Sequence, residues 1–506
     1  MKKINQTLCQ LVLITMLSLF TIKAKAACLI VNSQNRKVSS QNDLIYKVLI
    51  SSSTNCPLNV IDLKKRILLL GLKTDVYMVA NRGRNNSKLG SFSFFETIEG
   101  PNSQTQQAYI GHFTSLHGQT LELSQNPADQ GLMIEAIAWD LTKRVYNFYE
   151  LIGQGTTAQW FYRGDSSDII YDNQMLHLQP QGMPPQFGQR LRCSGCHSSG
   201  GPIMKELQAP HNDWWTIKRN LSLNQFKLSP EVQSQLVNLK SAEELSAKVN
   251  IGIETLEQSP TIQNTLRKNL KLLLKPLFCE SEINLESASM PLDVSNKIKV
   301  PTTSMLNPLL GKIDFTLTKQ NYLNLLNQYH IRFPESNDRD ADHPWLTPVK
   351  SRRELIAIKN LIQQGVINQY FAVSVLSIDF KTPLFSEKRC SLLKLIPSKP
   401  AGLFETWKDE FINELQRSKT ETSLELMSKL SVSNEPNSLT FINIQSYIQS
   451  LQKNSNQINT ADNLFRNLLV KRKEVFTSDI SKNPKGQILE PGFRVIFPVF
   501  FSLLNN

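Results

Sequence analysis

After its first two dozen residues the chain has no apolar run approaching the roughly 20 consecutive residues that a membrane-spanning helix needs. The one late candidate, Phe493 to Leu504, is short and broken by Pro498, and is expected to pack into the core. A Gly-rich phosphate loop and a nucleophile elbow are also missing, which removes two familiar signatures of nucleotide and acyl chemistry. No repeat of fixed period is present, so solenoid and propeller architectures are not expected. Dense clusters of basic residues are absent too, although the formal net charge is +13. Lys64-Lys65-Arg66 and Lys471-Arg472-Lys473 are isolated triplets on helical patterns, and no nucleic-acid motif accompanies them. Such an excess favours an anionic partner, an acidic protein or a lipid headgroup surface. A Lys- and Asn-rich composition with solvated faces is the simpler account.

What the chain does have begins at its first residue. Met1-Lys2-Lys3 is a positive start, Leu11 to Ile22 an apolar run, and Ala24-Lys25-Ala26 a small-x-small cleavage site. Together they read as a secretory signal peptide over 1–26, so a periplasmic or otherwise exported protein is expected. Cys28 raises a lipoprotein alternative, but Lys25 sits poorly in a lipobox.

Cysteine is scarce, with seven in 506 residues, and two of the seven stand together in Arg192-Cys193-Ser194-Gly195-Cys196-His197. C-x-x-C-H is the arrangement for covalent haem attachment. Residues three apart on one turn face the same way, so both sulfurs can reach the two vinyl edges of a single porphyrin. His197 then lies beneath the ring as proximal iron ligand. Two other readings of the cysteine pair remain: half of a zinc site, for which no second ligand pair exists, and a redox dithiol, which has no need of His197. Setting aside Cys9 with the signal, Cys28, Cys56, Cys279 and Cys390 are left, enough for two disulfides in three connectivities. Cys28 with Cys56 and Cys279 with Cys390 are the local pairings; free buried thiols are the alternative.

Through Cys193, Cys196, His197 and the following Gly200-Gly201-Pro202, the sequence resembles the c-type cytochrome superfamily. The resemblance spans about a dozen residues, with about 190 before the motif and about 310 after it, so a small cytochrome's fold does not extend to the whole chain. It implies one covalently attached haem c per chain, attachment outside the cytoplasm, and a carbonyl at Pro202 hydrogen-bonded to the proximal imidazole. An ordinary turn is the other reading of Pro202.

The fold class expected is α+β: a mixed N-terminal domain over 27–178, a mainly helical cytochrome c-like haem segment over 179–300, and a helical region over 301–506. Asn59 to Leu72 has helical spacing, while Asp75 to Ala80, Ser91 to Thr97, Leu132 to Trp139, Arg144 to Leu151 and Gln159 to Tyr162 read as strands of an antiparallel meander. Asn81 to Asn85, Asp140 and Gly153-Gln154-Gly155 mark its turns. Within this block Glu135, Asp140, Glu150, Arg163, Asp165 and Asp168 collect charge. They could form a ligand site near the haem, but charges at strand ends and turns are usually solvated.

Pro180, Gly182, Pro184, Pro185 and Gly188 lead into the motif. Helices are expected over 212 onward, Ser229 to Leu239, Ser241 to Asn250 and Ser259 to Leu274, with Ser241/Glu244 a capping box and Ser259-Pro260 a cap with proline at the first helical position. Trp214 and Trp215 could line a haem crevice or simply pack between helices. Later helices are expected at Thr318 to Tyr329, Leu355 to Gln364, Ile367 to Leu376, Leu403 to Leu415, Ser423 to Leu430 and Ala461 to Phe476.

The sixth iron ligand separates carrier from catalyst. Met305, Met290 and Met183 are candidates in that order, each also readable as a core filler; His211 would make a bis-His site. The first expectation is a single-haem electron-transfer protein with an unidentified redox partner. The second is a haem enzyme of peroxidase or oxidase type, with an acid-base group among His112, His117, His177, His211, His330 and His343. Two-haem peroxidases of the superfamily need a second attachment motif, which is lacking. The third is a haem-based gas or redox sensor.

Overall fold

The structure, a computed structural model, describes residues 28–32, 34–51, 55–80, 92–101, 107–113, 130–171, 197, 200–202, 230, 239–240, 242–279, 283–284, 297–300, 302–328, 349–350, 353–383, 386–431, 439–453, 457–464, 466 and 495–496. Among these it is an α+β protein, as the sequence indicates.

Strands β2 (Lys73–Ala80), β3 (Phe92–Glu99), β4 (Gln107–Phe113), β5 (Gln130–Asp140), β6 (Val145–Gln154) and β7 (Ala158–Asp165) form an antiparallel meander. A short parallel strand, β1 (Ile30–Val31), closes the seven-stranded sheet beside β7. The expected strands and the turns at Asp140 and at Gly155, which has φ +78°, are therefore present. Residue 81 to 85 lies outside the described residues. Strand β4 was not visible in the sequence, because Gln107-Ala108-Tyr109-Ile110-Gly111-His112-Phe113 carries a glycine and few branched side chains.

Side chains alternate across the sheet with period two. Ile134, Ala136, Ala138, Tyr149 and Leu151 join a core with α1 (Leu44–Ile50) and α2 (Val60–Leu69). Tyr109, Ile137, Trp139, Tyr146 and Phe148 face the other way, onto α4 (Ala242–Glu257), which follows a short helix α3 (Ser166–Tyr171) in the numbering used here. In α4, Leu245, Val249, Ile253 and Leu256 recur at helical spacing and are all buried. Helices thus cover both faces of the sheet, and the face against α4 carries Glu135 and Glu150.

Beneath the first face lies a buried polar network. Asp43 caps α1 through Oδ1, which accepts from Tyr46 N at 2.8 Å, and its Oδ2 accepts from Asn147 Nδ2 and Tyr149 Oη, both at 2.6 Å. Burial outweighs these bonds and pushes the Asp43 carboxyl up from 3.8 to about 6. A raised carboxyl binds its proton more tightly in the folded state, so this group's contribution falls as pH rises between about 4 and about 6, by roughly 3 kcal/mol in total. Urea midpoints of the wild type and of Asp43→Asn across pH 4 to 7 check this. The wild type should lose stability relative to the variant over that window, and parallel curves would contradict the account. Nearby Asp140 titrates oppositely: burial would raise it, but backbone N–H donors of Lys143, Asn42 and Thr142 with the Asn147 amide hold it below the usual range.

The remaining helices pack around one apolar core. Helices α5 (Pro260–Leu266) and α6 (Leu270–Phe278) replace the single helix expected over Ser259 to Leu274. Ser259 caps α5 with proline at the first position as expected, but Asn269 starts a new helix by accepting from Leu272 N. The exposed backbone at the break pairs with the 399–401 segment: Leu270 N donates to Lys399 O and Ala401 N to Arg267 O. Helices α7 (Lys319–Gln328), α8 (Arg353–Gln363) and α9 (Gln369–Leu376) follow, with Gly365 at φ +68° ending α8. After α10 (Glu387–Ser391) come α11 (Lys408–Ser418), α12 (Glu421–Ser431) and α13 (Leu439–Gln452), with residues 457–464 helical. Phe278, Phe371, Phe404, Trp407 and Phe411 pack together at their centre, mostly edge-on with Phe371–Phe404 and Trp407–Phe411 tilted. Two minor sheets complete the fold: β9 (Lys297–Val300) with β10 (Phe315–Thr318), and β8 (Ile283–Asn284) between β11 (Val349–Lys350) and β12 (Val495–Ile496). Strand β12 is the described part of the late apolar run.

Both local disulfide pairings are formed, Cys28 with Cys56 and Cys279 with Cys390. The second joins residues 111 apart, a loop whose closure restricts the unfolded chain by roughly 4–5 kcal/mol in the chain-entropy account.

Candidate functional site

The site begins with a tight turn. Gly200 N donates to His197 O at 2.6 Å, and Gly200 adopts φ +75°. A Cβ there would meet Ser166 O at 2.9 Å, so position 200 needs glycine both for its backbone angle and for its contact with the start of α3. Ser166 Oγ donates to Gly200 O at 2.7 Å and accepts from Tyr146 N, tying the turn to β6. Behind it, Pro202 rests on α4 at Gly252, where a Cβ would come within 2.7 Å of Pro202 Cγ. Tyr146 Oη donates to Gly252 O, holding helix to sheet at that point. The Gly-Gly-Pro after the motif is thus wedged between the sheet and α4.

That wedge buries His197, 3% exposed, with its ring 5.6 Å from Phe148. Its Nδ1 lies 2.9 Å from Gly201 O. A carbonyl only accepts, so Nδ1 carries the hydrogen. The acceptor is Gly201, one residue before the Pro202 that the cytochrome resemblance implies. The proline instead fills the gap against Gly252, and the carbonyl turned inward is the one preceding it.

On the other side of the ring, Nε2 lies 2.8 Å from Oε1 of Glu135. Since Nδ1 holds its own hydrogen, one proton lies between Nε2 and the carboxyl group. Glu135 projects from the middle of β5 onto the face shared with Ile137 and Trp139, directly opposite Glu150 of β6. Like charges in such a cross-strand pair would repel. Each has its own counter-group: Glu135 has His197, and Glu150 accepts from Arg163 Nε at 2.7 Å, with both members of that pair at most 2% exposed. The Arg163 guanidinium also stacks 4.2 Å from the Phe161 ring centroid, while its Nη1 is buried with no hydrogen-bond partner.

Of the six charged residues noted in the sequence, the structure gathers Glu135, Glu150 and Arg163 into one row beside His197, with Glu150 and Arg163 buried and Glu135 part-buried. Solvation, the ordinary expectation, does not describe them. Asp140, Asp165 and Asp168 lie elsewhere: Asp140 caps the β5–β6 turn, Asp165 pairs with Lys143, and Asp168 accepts from Asp165 N. The legible signal was position, an ionisable residue in the middle of an otherwise apolar strand.

Met305 is 1% exposed in the apolar core, its N–H bonded to Thr302 O and its carbonyl accepting from Tyr447 Oη. His112 is on β4 in register with Ile134. Cys193, Cys196, Met183, Met290, Trp214, Trp215, His117, His177, His211, His330 and His343 lie outside the described residues. Among the described residues no three His, Cys, Asp or Glu side chains converge as a metal-binding group, and no helix is long and apolar enough to cross a membrane.

The Nδ1 bond to Gly201 suits a haem iron at Nε2 of His197; the direct contact of Nε2 with Glu135 does not. The Nδ1 bond to Gly201 fixes the tautomer that leaves Nε2 as the ligating atom. In this structure Nε2 is engaged by Glu135 Oε1 at 2.8 Å, so an iron at Nε2 would have to take the place of that bond. No family model, curated protein or solved structure matches the chain.

Proposed function

We propose that the chain is an exported, single-haem c-type cytochrome-like protein whose activity is one-electron transfer. Cys193 and Cys196 would hold the haem c by thioether links and His197 would ligate its iron. The observation that supports the reading is the buried imidazole of His197, with Nδ1 held by a backbone carbonyl four residues on, so that Nε2 is the nitrogen a metal displacing Glu135 would meet. When bound, the haem supplies a one-electron iron couple. The chain's own residues orient and insulate it: Gly201 sets the ring's rotation, Phe148 flanks it, and the packing of β5 and β6 against α4 keeps water from the imidazole. The two disulfides support an oxidising compartment, in keeping with the signal-like start. A redox partner protein is implied; the excess positive charge suits an acidic one or an anionic surface.

A second reading, a haem enzyme of peroxidase or oxidase type, is favoured by one observation: a carboxyl group and a buried guanidinium share the sheet face that Nε2 addresses. The optical spectrum of the reduced protein with and without carbon monoxide distinguishes the two. A six-coordinate spectrum indifferent to carbon monoxide is expected of the carrier, and rapid carbon monoxide binding would shift the conclusion to the enzyme or to a gas sensor.

A further inference from the structure

Helix α2 ends in three leucines that the core does not use. Its buried residues are Val60, Leu63 and Ile67, spaced to lie along the sheet. That spacing turns Leu68 and Leu69 outward, and Leu70 follows them past the helix end. They are 58%, 86% and 43% exposed, and Leu69 is the most exposed large apolar side chain among the described residues. Side chains so placed gain little from folding, and three in succession mark a surface that something else covers.

The tip is held rigidly and projects. Gly71 N donates to Leu68 O and Leu72 N to Ile67 O, the paired bonds that close a helix on a left-handed residue, which Gly71 supplies at φ +68°. An added Cβ at Gly71 would meet nothing within 4 Å. Arg66 ties the tip to the end of α1, its guanidinium donating to Leu49 O and Asn55 O. Exposed Ile50, the last residue of α1, therefore belongs to the same corner of the molecule.

Positive charge sits one turn behind each apolar group. Lys65 precedes Leu68 and Leu69 by three and four positions on α2, and Lys47 precedes Ile50 by three on α1, so each lysine shares a face with its apolar neighbour. Both lysines are exposed, and among the described residues neither makes an ion pair. The one acid of α2, Asp62, lies toward the opposite end and is bonded to Asn59. A lysine in this position keeps its ammonium at headgroup level while the leucine enters an apolar layer. A protein partner would need an apolar pocket shaped to a projecting helix end, whereas a bilayer needs only anionic headgroups around it.

We propose that the end of α2, with Ile50 beside it, is a docking surface for anionic lipid, with Leu68, Leu69 and Leu70 entering the bilayer interface and Lys47 and Lys65 meeting its headgroups. The formal charge of the whole chain, +13, has the same sign. Helix α2 covers the face of the sheet opposite to the one His197 addresses, so the inference does not rest on haem.

The test is co-sedimentation of the full chain with vesicles of phosphatidylcholine alone or mixed with an equal part of phosphatidylglycerol. The wild type should sediment with the anionic vesicles, much less with the neutral ones, and less as salt is raised. Leu68→Ser/Leu69→Ser should weaken binding to anionic vesicles by roughly tenfold or more. Lys47→Gln/Lys65→Gln should reduce the preference for them, and Leu403→Ser, at a leucine 64% exposed elsewhere, should bind as the wild type does. The substituted side chains lie outside the core, so urea midpoints should match the wild type; if the double leucine variant departs, Leu69→Ser alone carries the comparison. Folded wild type that ignores anionic vesicles, or binds neutral ones equally, overturns the proposal, as does a leucine variant that binds like the wild type. A dimer in solution that the leucine changes dissociate, without vesicle binding, also overturns it and assigns the patch to a second copy of the chain.

Discussion

Replacing both Cys193 and Cys196 with Ala is expected to abolish haem staining of the denatured protein completely. Of the bonds between a haem and a chain, only thioether links survive denaturation; an axial bond from His197 alone would release its iron when the chain unfolds. The four cysteines of the two disulfides are untouched by the change, so the double variant should still be exported and folded, with the same disulfide pattern. Staining that persists would place the attachment elsewhere in the chain.

The second large effect is expected at the Glu150–Arg163 pair. Both side chains are at most 2% exposed, so removing one member takes the other buried charge out of this ion pair. Arg163→Met or Glu150→Gln should each cost about 3–5 kcal/mol, read from urea midpoints. The double variant should recover much of that loss, because two apolar or neutral groups of similar size need no ion partner. Single variants costing under about 1 kcal/mol would show that the pair behaves as a solvated surface bridge. The pair also sets the charge beside Glu135: without Arg163, two carboxylates face each other across β5 and β6.

These two sites differ in how far the sequence announced them. Cys193, Cys196 and His197 stand out in the sequence because the proposed attachment chemistry fixes residue type and spacing together. The strand runs of β5 to β7 were legible because long apolar alternation ends at turn residues such as Asp140 and Gly155. Strand β4 was not, since its hydrogen bonds to β3 and β5 rather than its own side chains make it a strand. The split between α5 and α6 was hidden for a related reason: Asn269 looks like any polar helix residue until the 399–401 segment arrives to pair with the break.

The row of Glu135, Glu150 and Arg163 shows the limit most clearly. Six charges in one block gave no way to tell a polar surface from a polar interior. The distinction depends on which strand face α4 covers, and α4 begins some hundred residues later than β5. Glu135 becomes a site residue only when Gly200, Gly201 and Pro202 bring His197 onto that face. The glycines after the motif are needed for this, since side chains there would collide with Ser166 and crowd Leu256.

The most direct measurement is the mass of the proteolytic peptide spanning Cys193 to His197, from chain exported in cells with a working cytochrome-maturation system. The account predicts one haem added to that peptide, with both thiols consumed. The same peptide recovered with two thiols, or with a disulfide and no porphyrin, would contradict it.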